Sequence, residues 1–289
     1  MEKRNAINLN NQGARHFLHG DLEKALDCYQ QALAIYPDNA SLLNNLGLYF
    51  HHKNDFNQAI DYFKKALDQE SKPNFWLNYG NAIAMTGDFD KANSIFLKVA
   101  ENHPDLSAAW LSLAKLAGHL ERHAEAIAYW KELLKLQEEP EYILGLAQSY
   151  IHQKNYEGAL EVLYDYDIDY KHSELWFCIG QCEFHLRNHG TAERAFKICL
   201  STQPDQLEYR HFLAVNYLAK GESVKGLQEL EQILKVDPDN HHIITEKGII
   251  LASLNQYEEA IQLLDRALEI EPAFNKAIHY KNLIENQSS

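Results

Sequence analysis

The sequence predicts an all-α chain of stacked helix pairs, and three observations lead there. Only seven prolines occur, at Pro37, Pro73, Pro104, Pro140, Pro204, Pro238 and Pro272, with gaps of 36, 31, 36, 64, 34 and 34 residues. Proline cannot continue a helix, so this spacing punctuates a repeat of about 34 residues with one marker missing. Aligned on that period, the chain gives eight units starting at residues 6, 40, 73, 107, 140, 173, 207 and 241. The eighth and twentieth positions of every unit are then Gly or Ala, from Gly13 and Ala25 to Gly248 and Ala260. Bulky residues recur beside them: Trp76, Trp110 and Trp176 at position four, and Tyr29, Phe63, Phe96, Trp130 and Phe196 at position twenty-four. Small residues at fixed places on two successive helices let the backbones approach, while large ones fill the flanking holes.

One unit shows the local logic. Residues 76–92, WLNYGNAIAMTGDFDKA, read as a helix, a tight turn and the start of a second helix. Gly80 inside the first helix costs about 1 kcal/mol against alanine, a loss that the close contact it permits offsets. The second unit carries the pattern at full strength, as in LNNLGLYFHHKNDFNQAIDYFKKAL over 43–67. This resembles the tetratricopeptide repeat family, and the resemblance spans residues 6 to about 274. It implies a right-handed superhelical solenoid of antiparallel helix pairs, about eight units, with a groove lined mainly by the first helix of each pair.

Later units depart from the pattern. In the fifth, position twenty-seven is Tyr166, where the family usually has a small residue, and the stretch around it, LYDYDIDYKHS over 163–173, has alternate acidic residues and no junction proline. Either the second helix there is shortened or tilted, with a possible bend before unit six, or neighbours repack around the tyrosine. In the seventh, Arg210 replaces the large apolar residue at position four and Gly226 replaces alanine, which predicts a less stable repeat. Residues 275–286 read as a lone capping helix with Ala277, Ile278, Leu283 and Ile284 facing the last repeat, followed by a tail, QSS, expected to fray. Residues 1–5 are expected to form an N-terminal arm.

Composition narrows the function. A net charge of −14 argues against nucleic-acid partners and anionic membrane surfaces. The N-terminus MEKRNAINLNNQ has no apolar signal-peptide core, and no apolar run approaches a membrane span. Four irregular cysteines make no secreted disulfide framework, so a cytoplasmic location is expected. No Gly-rich phosphate loop, H-E-x-x-H or nucleophile elbow occurs, so no catalytic residue and no cofactor is expected.

Four constellations are candidates for binding. Cys178, Cys182 and His185 share a helix face, with Cys199 on the partner helix; soft ligands so placed can hold zinc, yet the spacing matches no common module and a buried cysteine also packs well. His52, His119, His152 and His185 all fall at position thirteen, either as a strip toward a ligand or as cations near helix C-termini. Glu141, Glu174 and Glu208 at position two suit a helix's first turn, or a cationic partner. The family resemblance assigns the groove to positions two, five, six, nine, twelve and thirteen. There Asn11, Asn45, Asn78 and Asn81, with Asn10 and Asn44 beside them, offer amides that can pair with a peptide backbone or be merely solvated consensus. Later units present Leu144, Gln148, Ile151, Phe177, Gln181, Phe184, His211, Phe212 and Leu218, an apolar stretch that can hold side chains or pack on the next repeat. Of Lys and Arg, only Lys115 stands at these positions, so the clamp with which chaperone partners of this family grip a C-terminal carboxylate is absent.

The expected function is thus a non-catalytic protein- or peptide-binding scaffold using the groove. Two alternatives stay open: a subunit of a secretion, pilus or glycan-export assembly that binds through its convex face or ends, and a metal- or ligand-responsive regulator.

Overall fold

A computed structural model describes residues 2–287, and contacts divide the chain into two compact units, Met1–Tyr142 and Ile143–Ser289. Both are solenoids of antiparallel helix pairs. The first holds α1 (Glu2–Leu18), α2 (Leu22–Ile35), α3 (Ala40–His52), α4 (Phe56–Gln69), α5 (Pro73–Met85), α6 (Phe89–Asn102), α7 (Ser107–His119) and α8 (His123–Leu136). The second begins within α9 (Pro140–His152) and continues through α10 (Tyr156–Asp165), α11 (Ser173–His185), α12 (His189–Thr202), α13 (Leu207–Ala219), α14 (Ser223–Val236), α15 (His241–Ser253), α16 (Tyr257–Ile270) and α17 (Asn275–Gln287).

Packing follows the small-and-large pattern. A Cβ on Gly13, Gly47, Gly80 or Gly180 would stand 2.4–2.6 Å from the nearest ring carbon of Tyr29, Phe63, Phe96 or Phe196, the position-twenty-four residue of the same pair. The ring occupies the volume that the missing methyl leaves, and all four rings are buried. Each such contact removes a large apolar face from water, worth about 1.5–3 kcal/mol. In the first unit α2, α4 and α6 also pack on the next pair's first helix, while α1, α3, α5 and α7 touch in succession. The first helices therefore form one layer and the second helices the other.

All eight turns within the pairs place position fifteen in the left-handed region. Gly20, Gly87 and Gly221 (φ +80°, +88° and +78°) and Asn54 and Asn255 (φ 60° and 63°) suit it, whereas Glu121, Lys154 and Arg187 (φ 56°, 59° and 64°) take it under strain. Asp55, Asp88 and Asn155 then cap α4, α6 and α10 by accepting from the third backbone N–H of each.

The fifth pair settles the question raised by Tyr166. Helix α10 has ten residues, whereas α12, α14 and α16 have fourteen each, and Tyr166 leaves it in extended conformation. Its side chain packs against His172 (6.4 Å between rings). In the seventh pair, Arg210 finds partners: Nη1 donates to Glu229 Oε2 at 2.7 Å and Nη2 to the Pro204 carbonyl at 3.1 Å. Trp110 Nε1 makes the equivalent bond to the Pro104 carbonyl at 2.9 Å. The Leu218 side chain lies over Gly226, 2.8 Å from where a Cβ would stand.

At the ends, α1 starts at Glu2, so residues 2–5 continue the helix where an arm was expected, with Glu2 favourably placed in its first turn. In the capping helix Ala277 and Ile284 are buried against the last pair, while Ile278 and Leu283, expected to face it too, stay exposed. The expected fraying falls partly on Ser288 and Ser289, outside the described residues.

Candidate functional site

The face of the first-helix layer turned away from the second helices carries most of the candidate residues. Their hydrogen bonds follow one rule. Asn45 Nδ2 donates to Asn10 Oδ1 at 2.9 Å, and Asn78 Nδ2 to Asn44 Oδ1 at 2.9 Å. In each case position six of one repeat meets position five of the repeat before. His211 and Glu246 obey the same offset, Nε2 to Oε2 at 2.7 Å, and so do Phe177 and Phe212, edge to face at 5.0 Å.

Asn10 and Asn44 are 6% and 7% exposed, so leaving either amide unpaired costs about 1–3 kcal/mol. Asn45 and Asn78 therefore spend part of their bonding capacity inside the stack. Asn11 is exposed on α1. Glu246 is drawn in two directions: burial acts to raise its pKa, but His211 and Lys276, the latter at 3.5 Å, bring it below the usual carboxylate range.

The position-thirteen histidines end α3, α7, α9 and α11. Three of the rings rest on neighbouring aromatics: His52 on Phe17 (5.4 Å), His119 on Phe89 (5.3 Å), and His185 stacked on Tyr156 at 4.5 Å. Phe89 and Tyr156 both stand at position seventeen of the preceding repeat, a pairing the spacing of histidines alone does not reveal. Gln148 and His152 are exposed on α9, and Gln181 is half-buried on α11. Phe177 and Phe212 pack with Phe196 and Tyr209 at the junction between repeats six and seven, whereas Phe184 lies 5.6 Å from His189 within repeat six.

Burial governs the cysteines. Cys178, Cys182 and Cys199 are all buried, and burial pushes each thiol up to about 12. Cys199 donates to the Ser173 carbonyl at 3.3 Å. Protonated, enclosed thiols are poor metal ligands, and His185, the third candidate, is engaged with Tyr156. Among the described residues no cluster of three or more His, Cys, Asp or Glu has metal-binding geometry.

Asn81 and Lys115 do come together. They line a cavity of about 830 Å³ with Ala84, Met85, Leu111, His51 and His119, and Phe89, Phe96 and Leu116 also border it. Lys115 Nζ is 2.8 Å from Glu141 Oε1, and burial holds the His51 imidazole below its ordinary pKa, with His52 adding to the effect. The sequence reading singled out Asn81, Lys115 and His119, all in this lining, but missed His51, Met85 and Leu111. The available signal was position twelve, which runs Phe17, His51, Ala84, Gly118 through the first four repeats. Of these, Ala84 and His51 line the cavity, and the small Ala84 leaves room there that a larger residue would fill.

Models described as tetratricopeptide repeat match residues 5–69, 50–116 with 217–285, and 111–170. The chain is 24% identical over 301 residues to tetratricopeptide repeat protein 21B of Xenopus laevis, covering 88% of this chain and 22% of that protein. It is 26% identical over 193 residues to the peroxisomal targeting signal receptor of Saccharomyces cerevisiae, covering 63% of this chain and 31% of the receptor. It therefore spans less than a third of either relative. Among solved structures, a tetratricopeptide repeat protein from Parabacteroides merdae superposes with a TM-score of 0.61 at 17% identity, over 85% of this chain and 98% of that one. Pseudomonas aeruginosa pilF gives 0.60 at 19% identity, over 74% and 98%. At such identities the likeness is one of fold. No helix among the described residues is long and apolar enough to cross a membrane.

Proposed function

Because the chain belongs to the tetratricopeptide repeat family, we propose that it is a non-catalytic scaffold that binds a protein or peptide in the cytoplasm through its first-helix face. The supporting observation is the cavity of about 830 Å³ opening among first helices, where exposed Asn81 and Lys115 meet apolar walls. Apolar concavities with a few polar groups at the rim are what binding sites offer. Similarity to a receptor for a targeting signal agrees with a protein as ligand. The net charge of −14 disfavours nucleic acid, and buried, protonated thiols count against a metal-responsive regulator.

A second reading has its own observation. Trp76, 37% exposed, lines a separate hollow of about 630 Å³ with Ile95, Lys98 and Val99 of α6, a surface that suits docking within a larger assembly. Photo-crosslinking residues placed at Asn81 and at Lys98 test the two. The scaffold reading expects a partner polypeptide cross-linked from position 81 and not from 98. The reverse pattern would move the contact to the α6 side and overturn groove binding.

A further inference from the structure

The cavity in the first-helix face is specific in what it excludes. In a chain with 41 acidic residues, its lining contains no carboxylate. Its walls are mostly apolar, with His51, His119, Thr86 and Ser112 among them, and Lys115 is the one Lys or Arg in the lining. Glu141 neutralises that ammonium from outside the lining, with both side chains more than half exposed (59% and 57%). Exposed pairs of this kind contribute about 0–1 kcal/mol, so an incoming carboxylate can take the place of Glu141 at little cost.

The volume also has an internal reference. At the same register repeats one, five, six and seven carry Phe17, Ile151, Phe184 and Leu218, and repeats two and eight carry His51 and Ala252, whereas repeat three places Ala84 in the cavity wall. Ala84 therefore leaves open the space that a bulky apolar side chain fills at this register in four other repeats, and one such side chain would occupy only part of the cavity. Its size, about 830 Å³, lies within the roughly 300–1,000 Å³ typical of ligand pockets.

Building on the groove reading above, we propose that this cavity receives a large apolar side chain of a partner polypeptide whose adjacent residue is acidic, the carboxylate replacing Glu141 on Lys115. The pocket then reads an apolar–acidic pair within the bound chain, and Asn81 is placed to bond its backbone. Glu141 acts as an internal competitor for the acidic half of the ligand.

Selection from a displayed library of random peptides against the whole protein tests this. Expected peptides share Phe, Trp or Leu next to Asp or Glu. For a synthetic copy of a selected peptide, Ala84→Phe should weaken binding about 10- to 100-fold, the loss of one buried apolar side chain. Lys115→Ala should weaken it up to about fivefold, and Glu141→Gln should tighten it by a similar factor. Met85→Ala, on an exposed part of the wall, gives a second blockade-free variant that should weaken binding while leaving the circular dichroism unchanged. Peptides that bind Ala84→Phe and Met85→Ala as well as wild type would overturn the pocket while leaving groove binding intact. Selected peptides with Lys or Arg beside the apolar residue would overturn the acidic half. No selected peptide at all would overturn both this inference and the scaffold reading on which it rests.

Discussion

At Gly80 a methyl group would come within 2.5 Å of Phe96 Cε1. Gly80→Ala gains about 1 kcal/mol in helix propensity but overpacks a filled site, which costs about 1–3 kcal/mol. The expected result is a lower urea midpoint with an unchanged denaturant slope. The cysteines make a second residue-scale prediction. With Cys178, Cys182 and Cys199 buried and protonated, and only Cys28 partly open, a thiol reagent at pH 8 should label one thiol rapidly in the native protein and all four in denaturant. Rapid native labelling at Cys178 would contradict that enclosure. Gly80 was readable in the sequence because its partner ring recurs at a fixed offset. The buried amides of Asn10 and Asn44 were not, because their partners lie 35 and 34 residues away and nothing in composition separates an amide facing a neighbour from one facing solvent. The cavity was harder still, since its signal is what Ala84 lacks.

Among the elements, the turns carry the clearest strain. Lys154 sits at φ 59° where three sister turns use glycine. Relief of a left-handed L-residue is worth about 1–2 kcal/mol, against about 0.5–1 kcal/mol of added chain entropy. Lys154→Gly should therefore raise stability by about 0.5 kcal/mol, seen as a small rise in melting temperature. Gly87→Ala should lower it. Helix α12 supplies a pH-dependent case. Glu193 accepts from Lys197 at 2.7 Å and Lys220 at 2.5 Å, and these bonds hold its carboxyl at about 2. A carboxylate depressed by folding stabilises fully above its unfolded pKa and loses that contribution as pH falls toward the folded value. Glu193→Gln should thus lower stability by about 1 kcal/mol at pH 7, screening at the lysines included, and the difference from wild type should shrink between about pH 4.5 and 2. The shortening of α10 was half legible: Tyr166 marked the place, but whether a helix ends or its neighbours yield depends on packing that one residue type does not specify.

For the molecule as a whole, stability is built from contacts between adjacent pairs, as expected for repeat solenoids. Amide exchange in Gly80→Ala should accelerate most in α5, α6 and their immediate neighbours, and far less in α15 and α16. Uniform acceleration throughout would show a single cooperative block. The eightfold pattern made the architecture readable end to end, since a period needs no long-range information. What each repeat recognises is written in deviations from the period, and those acquire meaning only once neighbours are in place.

The staggered pairing of position five with position six has a genetic corollary. Asn10 with Asn45, Asn44 with Asn78, Phe177 with Phe212 and His211 with Glu246 are mutually matched, so the repeats are not interchangeable copies. Unequal crossing-over that excised residues 73–106 would set Ser112 where Asn78 now answers Asn44, and a swap of the sixth repeat for the second would face an amide with a phenyl ring. Gene rearrangements that preserve the reading frame and the 34-residue period would still break these pairs, so the order of units along this chain matters to its chemistry.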